Sequence, residues 1–548
     1  MTSLRDKTKI DTDVVVIGSG AAGLSATLAA RAYGADVVFL EKGQLVGGTT
    51  ALSAGMVWVP NNQAAAAAGI ADSRELAIEY MESLARGLED PALIPVYVDS
   101  APEVASWLEN NSDLRWTVTS YPDYHSDNPG ALEGGGRSLV QENYEFGKLG
   151  DWAERVILSP KQAERMRINP AEGAFGARSA PTADEIARRE GKDMRAWGQA
   201  LVGALLGAAL ERGVEPVVST RVTGLLMNGD AVVGVQAIGP DGAFEVGARR
   251  GVIIACGGFD WNSDLVRAYL RGPLNNSVAV LENEGDGLIL AQQVRADLGT
   301  MQEASWTPMI KRPGHVRHGD GVFPRSATVI AERSRPGSIL VNRAGKRFCN
   351  EATNYNSIVG AFHNIDPASL TYPNLPAFLI FDQAFRDRGP IAECMPGDED
   401  PDWMVVAPTI EDLGRRIGVD PLALAATIAR FNAFAAAACD EDFGRGESAF
   451  ERANGDPSAP GASANLAPID TPPFRAVEIE IGAFGTRGGP RTDQHGRVLR
   501  NKEPVRGLYA AGNAASSVMG MSYPGGGATL GPALTFGHLA GRHAATGR

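Results

Sequence analysis

The chain has 548 residues, 44% of them hydrophobic, and a formal net charge of −14. It is long enough for large buried cores and more than one domain. The acidic balance argues against nucleic acid or an anionic membrane surface as main partner, and no apolar run reaches the roughly 18 residues of a transmembrane segment.

The first nine residues have no apolar secretory core, and Cys256, Cys349, Cys394 and Cys439 form no C-x-x-C pair. A cytoplasmic location is expected. Residues 13–17 are a β-branched run suited to a buried parallel strand. Gly18, Ser19, Gly20, Ala21, Ala22 and Gly23 follow at once, then a helical pattern, then a second apolar run ending at Glu41. Strand, glycine turn, helix, strand and acid together form a dinucleotide-binding unit. Gly18 permits the tight turn, Gly20 lets a pyrophosphate approach the backbone, and Gly23 packs the helix on the sheet. Glu41 lies about 20 residues on, where a carboxylate accepts ribose hydroxyls and disfavours the extra phosphate of NADP.

Gly47, Gly48, Thr49 and Thr50 supply a second small, hydroxyl-bearing segment. Residues 64–68 read as an exposed or half-packed helix start, residues 132–137 as a glycine-rich turn, and residues 199–212 as a buried helix. Residues 220–225 and 232–235 look like a hairpin, and residues 252–259 like a strand ending in glycines that include Gly257. This discontinuous layout suits FAD better than NAD. His315 and His318 sit among Pro313, Gly314 and Gly319, so a loop and a solvated pair are expected, with no metal site. Residues 397–400 and 451–461 read as surface loops. Ser53 and Ser522 have no neighbouring histidine base, so no hydrolase triad is expected.

Near the C-terminus a short apolar segment, 507–513, precedes the turn 520–529 and the helical pattern from Leu530. A glycine-rich turn at a helix start exposes N–H groups that can hold negative charge. Tyr523 adds a phenol donor there. Together they can polarise a carbonyl oxygen and hold the enolate it becomes.

Three separated stretches, 47–62, 345–355 and 507–537, resemble those of the fumarate-reductase-type FAD flavoproteins, and within them the 3-ketosteroid Δ1-dehydrogenases. Gly526 stands where that family commonly has proline. The resemblance implies an α/β fold: a Rossmann-like FAD-binding domain, residues 1–310 and 483–548, with an inserted α+β substrate-capping domain, residues 311–482. It further implies FAD contacts at the N-terminal turn residues, Glu41, Lys42, Gly48, Thr49, Thr50, Ser53, Ala54, Gly55, Val222, Gly257, Gly512, Asn513, Ala528 and Leu530. No histidine lies in 47–50, where covalent-flavin relatives carry their attachment, so the FAD is expected to be non-covalent.

By the same resemblance, Tyr523 and the Gly527 amide bind the ketone oxygen, Tyr355 removes the α-proton and Tyr124 supports that base. Tyr121 is an alternative for the last role. The expected reaction inserts a C1–C2 double bond into a 3-ketosteroid and passes electrons to a quinone-like external acceptor. Desaturation of a non-steroidal cyclic ketone and Δ4-(5α)-ketosteroid dehydrogenation are the alternatives. A fumarate-type ene-reductase is disfavoured because no cation occurs between Met519 and His538, where related reductases carry histidine and arginine. A flavin-binding protein without turnover is the remaining alternative. Glu351 is expected to be a structural ion-pair partner.

Overall fold

The computed structural model describes residues 9–159, 163, 165–172, 179–318, 321–324 and 327–548; the start of the chain, residues 1–8, lies outside them. The β-branched N-terminal run forms strand Lys9–Ile17, which pairs in parallel with Val37–Leu40 on one side and Gly242–Ile254 on the other. Gly242–Ile254 pairs in parallel with Glu503–Ala510, so residues far apart in the chain share one eight-stranded sheet. The expected hairpin is Arg221–Asn228 and Ala231–Gly239, laid antiparallel on the first half of Gly242–Ile254.

Helix Ala21–Ala32 starts directly after the glycine turn and packs along the C-terminal helix Leu530–Thr546. Small residues make the contact possible: a Cβ on Gly537 would lie 2.4 Å from the Ala22 carbonyl oxygen, and one on Gly541 2.3 Å from that of Ala26. Residues 199–211 fall in the buried helix Trp197–Glu211, with Arg212 as its C-cap, and residues 64–67 in the short helix Gln63–Ala67 with only Ala65 fully buried. The hairpin His315–His318 with Gly321–Pro324 replaces the loop expected at the histidine pair, because both strands find antiparallel partners in each other.

A second sheet has seven strands gathered round the 13-residue strand Phe474–Thr486. Ala304–Ile310, Ala377–Phe381, Met404–Ala407 and Asn276–Ser277 all pair with it. Two of these lie before residue 311, so the sheet reaches upstream of the division expected there. The end of Phe474–Thr486 delivers Phe484 and, one residue beyond the strand, Arg487 to the junction between the sheets. No described helix is long and apolar enough to cross a membrane.

Candidate active site

At the nucleotide end, Gly18 has φ +100° and a Cβ there would lie 2.6 Å from the Ala255 carbonyl oxygen. Glu41 accepts from the Ser19 N–H (2.9 Å) and hydroxyl (2.6 Å), and from the Gly43 N–H (2.7 Å). Burial pushes its carboxyl above the usual range, with these donors acting against it. Thr50 Oγ1 accepts from Ala21 N–H at 3.0 Å, joining the second small-residue segment to the helix start. A Cβ on Gly20 would first meet Thr50 Oγ1 at 3.5 Å, and one on Gly48 would meet Gly20 Cα at 3.9 Å, so the two glycines bring the backbones of their segments close together.

Other expected cofactor residues contact these segments or line a cavity beside the C-terminal helix. Gly512 abuts Ala22, since a Cβ on Gly512 would lie 3.0 Å from that of Ala22. Gly512, Asn513 and Ala528 line a small cavity, together with Ser305, Arg487 and Thr529; Leu530 begins the helix beside it. Thr49 Oγ1 accepts from Val280 N–H at 3.2 Å. Asn283, also facing Thr49, stands against Gly257, where a Cβ would lie 2.3 Å from its Oδ1. Ser53 donates to the Thr50 carbonyl and accepts from Gly55 N–H, which orders the turn through Ala54. Thr220 N–H donates to the Glu41 carbonyl at 2.8 Å, holding Val222's strand beside that residue. Lys42 is turned away into ion pairs with Glu284 (2.8 Å) and Asp286 (3.1 Å).

At the other end, Tyr124, Tyr355 and Tyr523 converge. Tyr124 donates to the Tyr355 hydroxyl at 3.4 Å, and their ring centroids are 5.5 Å apart. Tyr124 stacks on Tyr523 at 5.5 Å and 15°, and Tyr355 meets Tyr523 edge-on at 5.3 Å. Burial raises the Tyr124 and Tyr355 phenols well above their ordinary value, and the neighbouring phenols add to the rise. Tyr121 instead donates to Asn454 Oδ1 at 2.9 Å, so of the two nearby tyrosines it is Tyr124 that reaches Tyr355. Phe450 and Phe484 pack against Tyr124 and Tyr355 at 4.7 and 5.3 Å, extending the cluster with apolar rings. Gly527 has φ +98°, and a Cβ on it would lie 2.5 Å from the Val57 and Trp58 nitrogens. No other residue fits that position without moving the strand beneath.

Each tyrosine loop is anchored by polar groups. Tyr124 N–H donates to the Pro524 carbonyl at 2.9 Å, tying its loop to that of Tyr523, and Tyr80 donates to the same oxygen at 2.6 Å. Asp123 accepts from Trp58 Nε1 (2.8 Å) and Arg137 (2.9 Å), and Arg137 also pairs with Asp72 at 2.6 Å. Burial pushes the Asp123 carboxyl up to about 6, against the pull of Arg137. On the opposite loop Glu351, fully buried, pairs with Arg347 (2.7 Å) and Arg445 (3.1 Å). Burial alone would raise its carboxyl; the two guanidinium groups hold it below the ordinary value.

Sequence reading missed Arg487. The stretch from Met519 to His538 indeed carries no cation, yet the fold brings one in from strand Phe474–Thr486: the Arg487 guanidinium lies 5.1 Å from the Tyr523 ring centroid. A lone basic residue within Gly485, Thr486, Gly488 and Gly489 was the available signal. Asp123 and Arg137 gave no comparable signal, because their partners are distant in sequence. Among the described residues no cluster of three His, Cys, Asp or Glu could hold a metal.

The sequence profile of the FAD binding domain family matches residues 13–530. The chain is 38% identical over 539 residues to the 4-oxocyclohexanecarboxylate 2-dehydrogenase of Sinomonas cyclohexanicum, covering 97% of this chain and 92% of that one. It is 37% identical over 568 residues to the 3-oxosteroid 1-dehydrogenase of Mycobacterium tuberculosis, covering 97% and 98%. Among solved structures it superposes on 3-ketosteroid Δ1-dehydrogenase from Sterolibacterium denitrificans in complex with 1,4-androstadiene-3,17-dione, with TM-score 0.87, 32% identity, and 98% and 100% of the two chains covered.

Proposed function

The chain belongs to the FAD binding domain family, and from that premise we propose that it is a dehydrogenase introducing a double bond between C1 and C2 of a 3-ketosteroid. FAD is its cofactor, and Gly20 and Gly48, whose backbones meet at the start of helix Ala21–Ala32, suit the close approach of a pyrophosphate to a helix start. Ser19, Glu41, Thr49, Thr50, Gly512 and Asn513 would hold it without a covalent link. When bound, FAD supplies the acceptor for a hydride. Residues 1–310 and 483–548 would carry this cofactor, with 311–482 as the cap, whose sheet borrows Asn276–Ser277 and Ala304–Ile310.

The convergence of three buried phenols carries the reading. Tyr523 and the Gly527 amide hold the ketone oxygen and stabilise the charge that develops there. The α-proton passes to the Tyr355 phenolate oxygen, and the electron pair of the β-C–H bond leaves with its hydrogen as hydride. A phenol of ordinary pKa about 10 is a weak base near neutrality, and burial of Tyr355 makes its ionisation harder still. The grip on the ketone offsets this by acidifying the substrate, and the Tyr124 hydroxyl, donating at 3.4 Å, orients the Tyr355 oxygen. Phe450 and Phe484 suit an apolar ring system and exclude water from it.

Arg487 does not revive the fumarate-type reading. Its guanidinium donates to Ser305 Oγ, Asn356 Oδ1 and the carbonyls of Gly520 and Ser522, so it is engaged by the protein rather than presented to a dicarboxylate. The identity to a 4-oxocyclohexanecarboxylate dehydrogenase supports a second reading, desaturation of a smaller cyclic ketone by the same groups. We further propose an external quinone-like acceptor. Four free thiols fit work in the reducing cytoplasm.

The test is anaerobic mixing of the yellow holoenzyme with 4-ene-3-ketosteroids, 5α-saturated ketosteroids, 4-oxocyclohexanecarboxylate and fumarate. Bleaching of the flavin by a steroid, with a 1-ene product, supports the main reading. Faster bleaching by 4-oxocyclohexanecarboxylate moves the assignment to the second, and bleaching by no ketone refutes both.

A further inference from the structure

Arg487 is more than a buried strut. It is only 4% exposed, and its charge is not neutralised by a direct carboxylate contact among the bonds it makes. Nη1 grips the carbonyls of Gly520 (3.1 Å) and Ser522 (2.5 Å), the residues leading into Tyr523. Nη2 donates to Asn356 Oδ1 at 3.2 Å, next to Tyr355, and Asn356 Nδ2 donates to the Met521 carbonyl at 3.1 Å. One side chain thus ties the loop of the ketone-gripping phenol to the loop of the base.

A second connection runs to the Tyr523 hydroxyl itself. That oxygen is 3.2 Å from Thr529 Oγ1, which is 3.5 Å from Ser305 Oγ, which accepts from Arg487 Nε at 3.1 Å. The guanidinium therefore faces the ring of Tyr523 directly, 5.1 Å from its centroid, and ends a chain of hydroxyls leading from its oxygen. Glu303 and Arg271 are the other charged groups that act on Arg487, and they pair with each other at 3.0 Å. The Tyr523 and Tyr355 phenols are the remaining titratable groups facing it.

We propose that Arg487 is a positioning residue that fixes the Tyr523 and Tyr355 loops in one register and places a permanent cation behind the phenol gripping the ketone. This rests on the role given to Tyr523 above. The cation strengthens Tyr523 as a donor when negative charge gathers on the substrate oxygen. Arginine suits the task because its planar fork reaches two carbonyls and an amide at once, which an ammonium cannot do in the same geometry.

The test uses the FAD-loaded full chain and p-nitrophenol, whose phenolate mimics the charge and shape of a ring enolate and whose ionisation is read by absorbance without turnover. R487M is expected to raise the apparent pKa of bound p-nitrophenol by about one unit, a tenfold change in proton affinity. With a ketone that bleaches the wild type, kcat should fall about 100-fold, the scale of a misaligned reacting group, with a smaller change in KM. R487K keeps the charge and loses the fork, so it should hold the probe as phenolate like the wild type while kcat still falls. That split decides the matter if R487M does not fold. Unchanged probe ionisation in fully flavinated R487M, or effects of R487M and R487K confined to FAD retention, overturns the inference. If no ketone bleaches the wild type but the probe still responds to Arg487, the substrate reading falls and the role of Arg487 stands.

Discussion

Tyr523→Phe isolates one hydroxyl. The ring that remains keeps its stacking on Tyr124 at 5.5 Å and its place under Arg487 at 5.1 Å, so the chamber stays packed. The resting protein loses the hydroxyl's bond to Thr529 at 3.2 Å. A single such bond contributes about 1 kcal/mol net, so stability should change little and FAD content should not change. The rate is another matter. With Gly527 left as sole donor to the developing oxyanion, about 2.7–4 kcal/mol of transition-state stabilisation is removed, or roughly 100- to 1000-fold in kcat. Rapid mixing of anaerobic enzyme with a ketosteroid reads this as the rate of flavin bleaching, and a parallel melting curve checks the fold. A variant with full FAD and bleaching as fast as the wild type would refute the reasoning, since no ketone oxygen could then depend on this phenol.

Tyr355→Phe should abolish exchange of the substrate α-hydrogen with deuterated solvent; retained exchange identifies another base. Because burial holds the Tyr355 phenol above its ordinary value of about 10, the wild-type rate at low substrate should still be climbing at about pH 10, and a plateau below that would contradict a phenolate base. Glu351→Gln leaves Arg347 and Arg445 as buried, under-compensated charges. Breaking a buried pair in this way costs about 3–5 kcal/mol, so a clearly lower melting temperature is expected, and an unchanged one would show the pair to be dispensable. His125, His363 and His538 are each held down to about 4 by burial, so the unfolded chain takes up protons first as pH falls. Stability should be whole above about pH 6.5 and decline toward pH 4, by up to about 3 kcal/mol for each histidine. His538→Phe, set edge-on against Trp107, should flatten part of that decline in a pH series of melting curves, and an identical slope would acquit His538.

Local patterns were legible wherever one short segment does a whole job. The glycine turn, its flanking strands and Glu41 could be read directly because strand, turn and helix are contiguous there. The hairpin of Arg221–Asn228 with Ala231–Gly239 was legible for the same reason. Tyr124, Tyr355 and Tyr523 became candidates through family resemblance, since nothing local marks a tyrosine in a loop as reactive; their meeting required the fold. Arg487 and the Asp72, Arg137 and Asp123 network escaped notice because their partners lie tens to hundreds of residues away. The reach of the second sheet back to Asn276–Ser277 escaped for a related reason: two residues carry no periodicity, and only pairing with Gly482 and Ala483 makes them a strand.

The groups that act together here do not live together. Tyr124 and Tyr523 sit on loops joined to each other through Pro524, whereas Tyr355 and Phe484 come from segments of the second sheet. A machine built across a seam has a clutch: any tilt of one half against the other parts the proton acceptor from the oxyanion grip while leaving each half whole. A ligand that settled on that seam would act on turnover through this alignment, at a distance from every reacting atom. An inhibitor wedged there would need no likeness to the substrate at all.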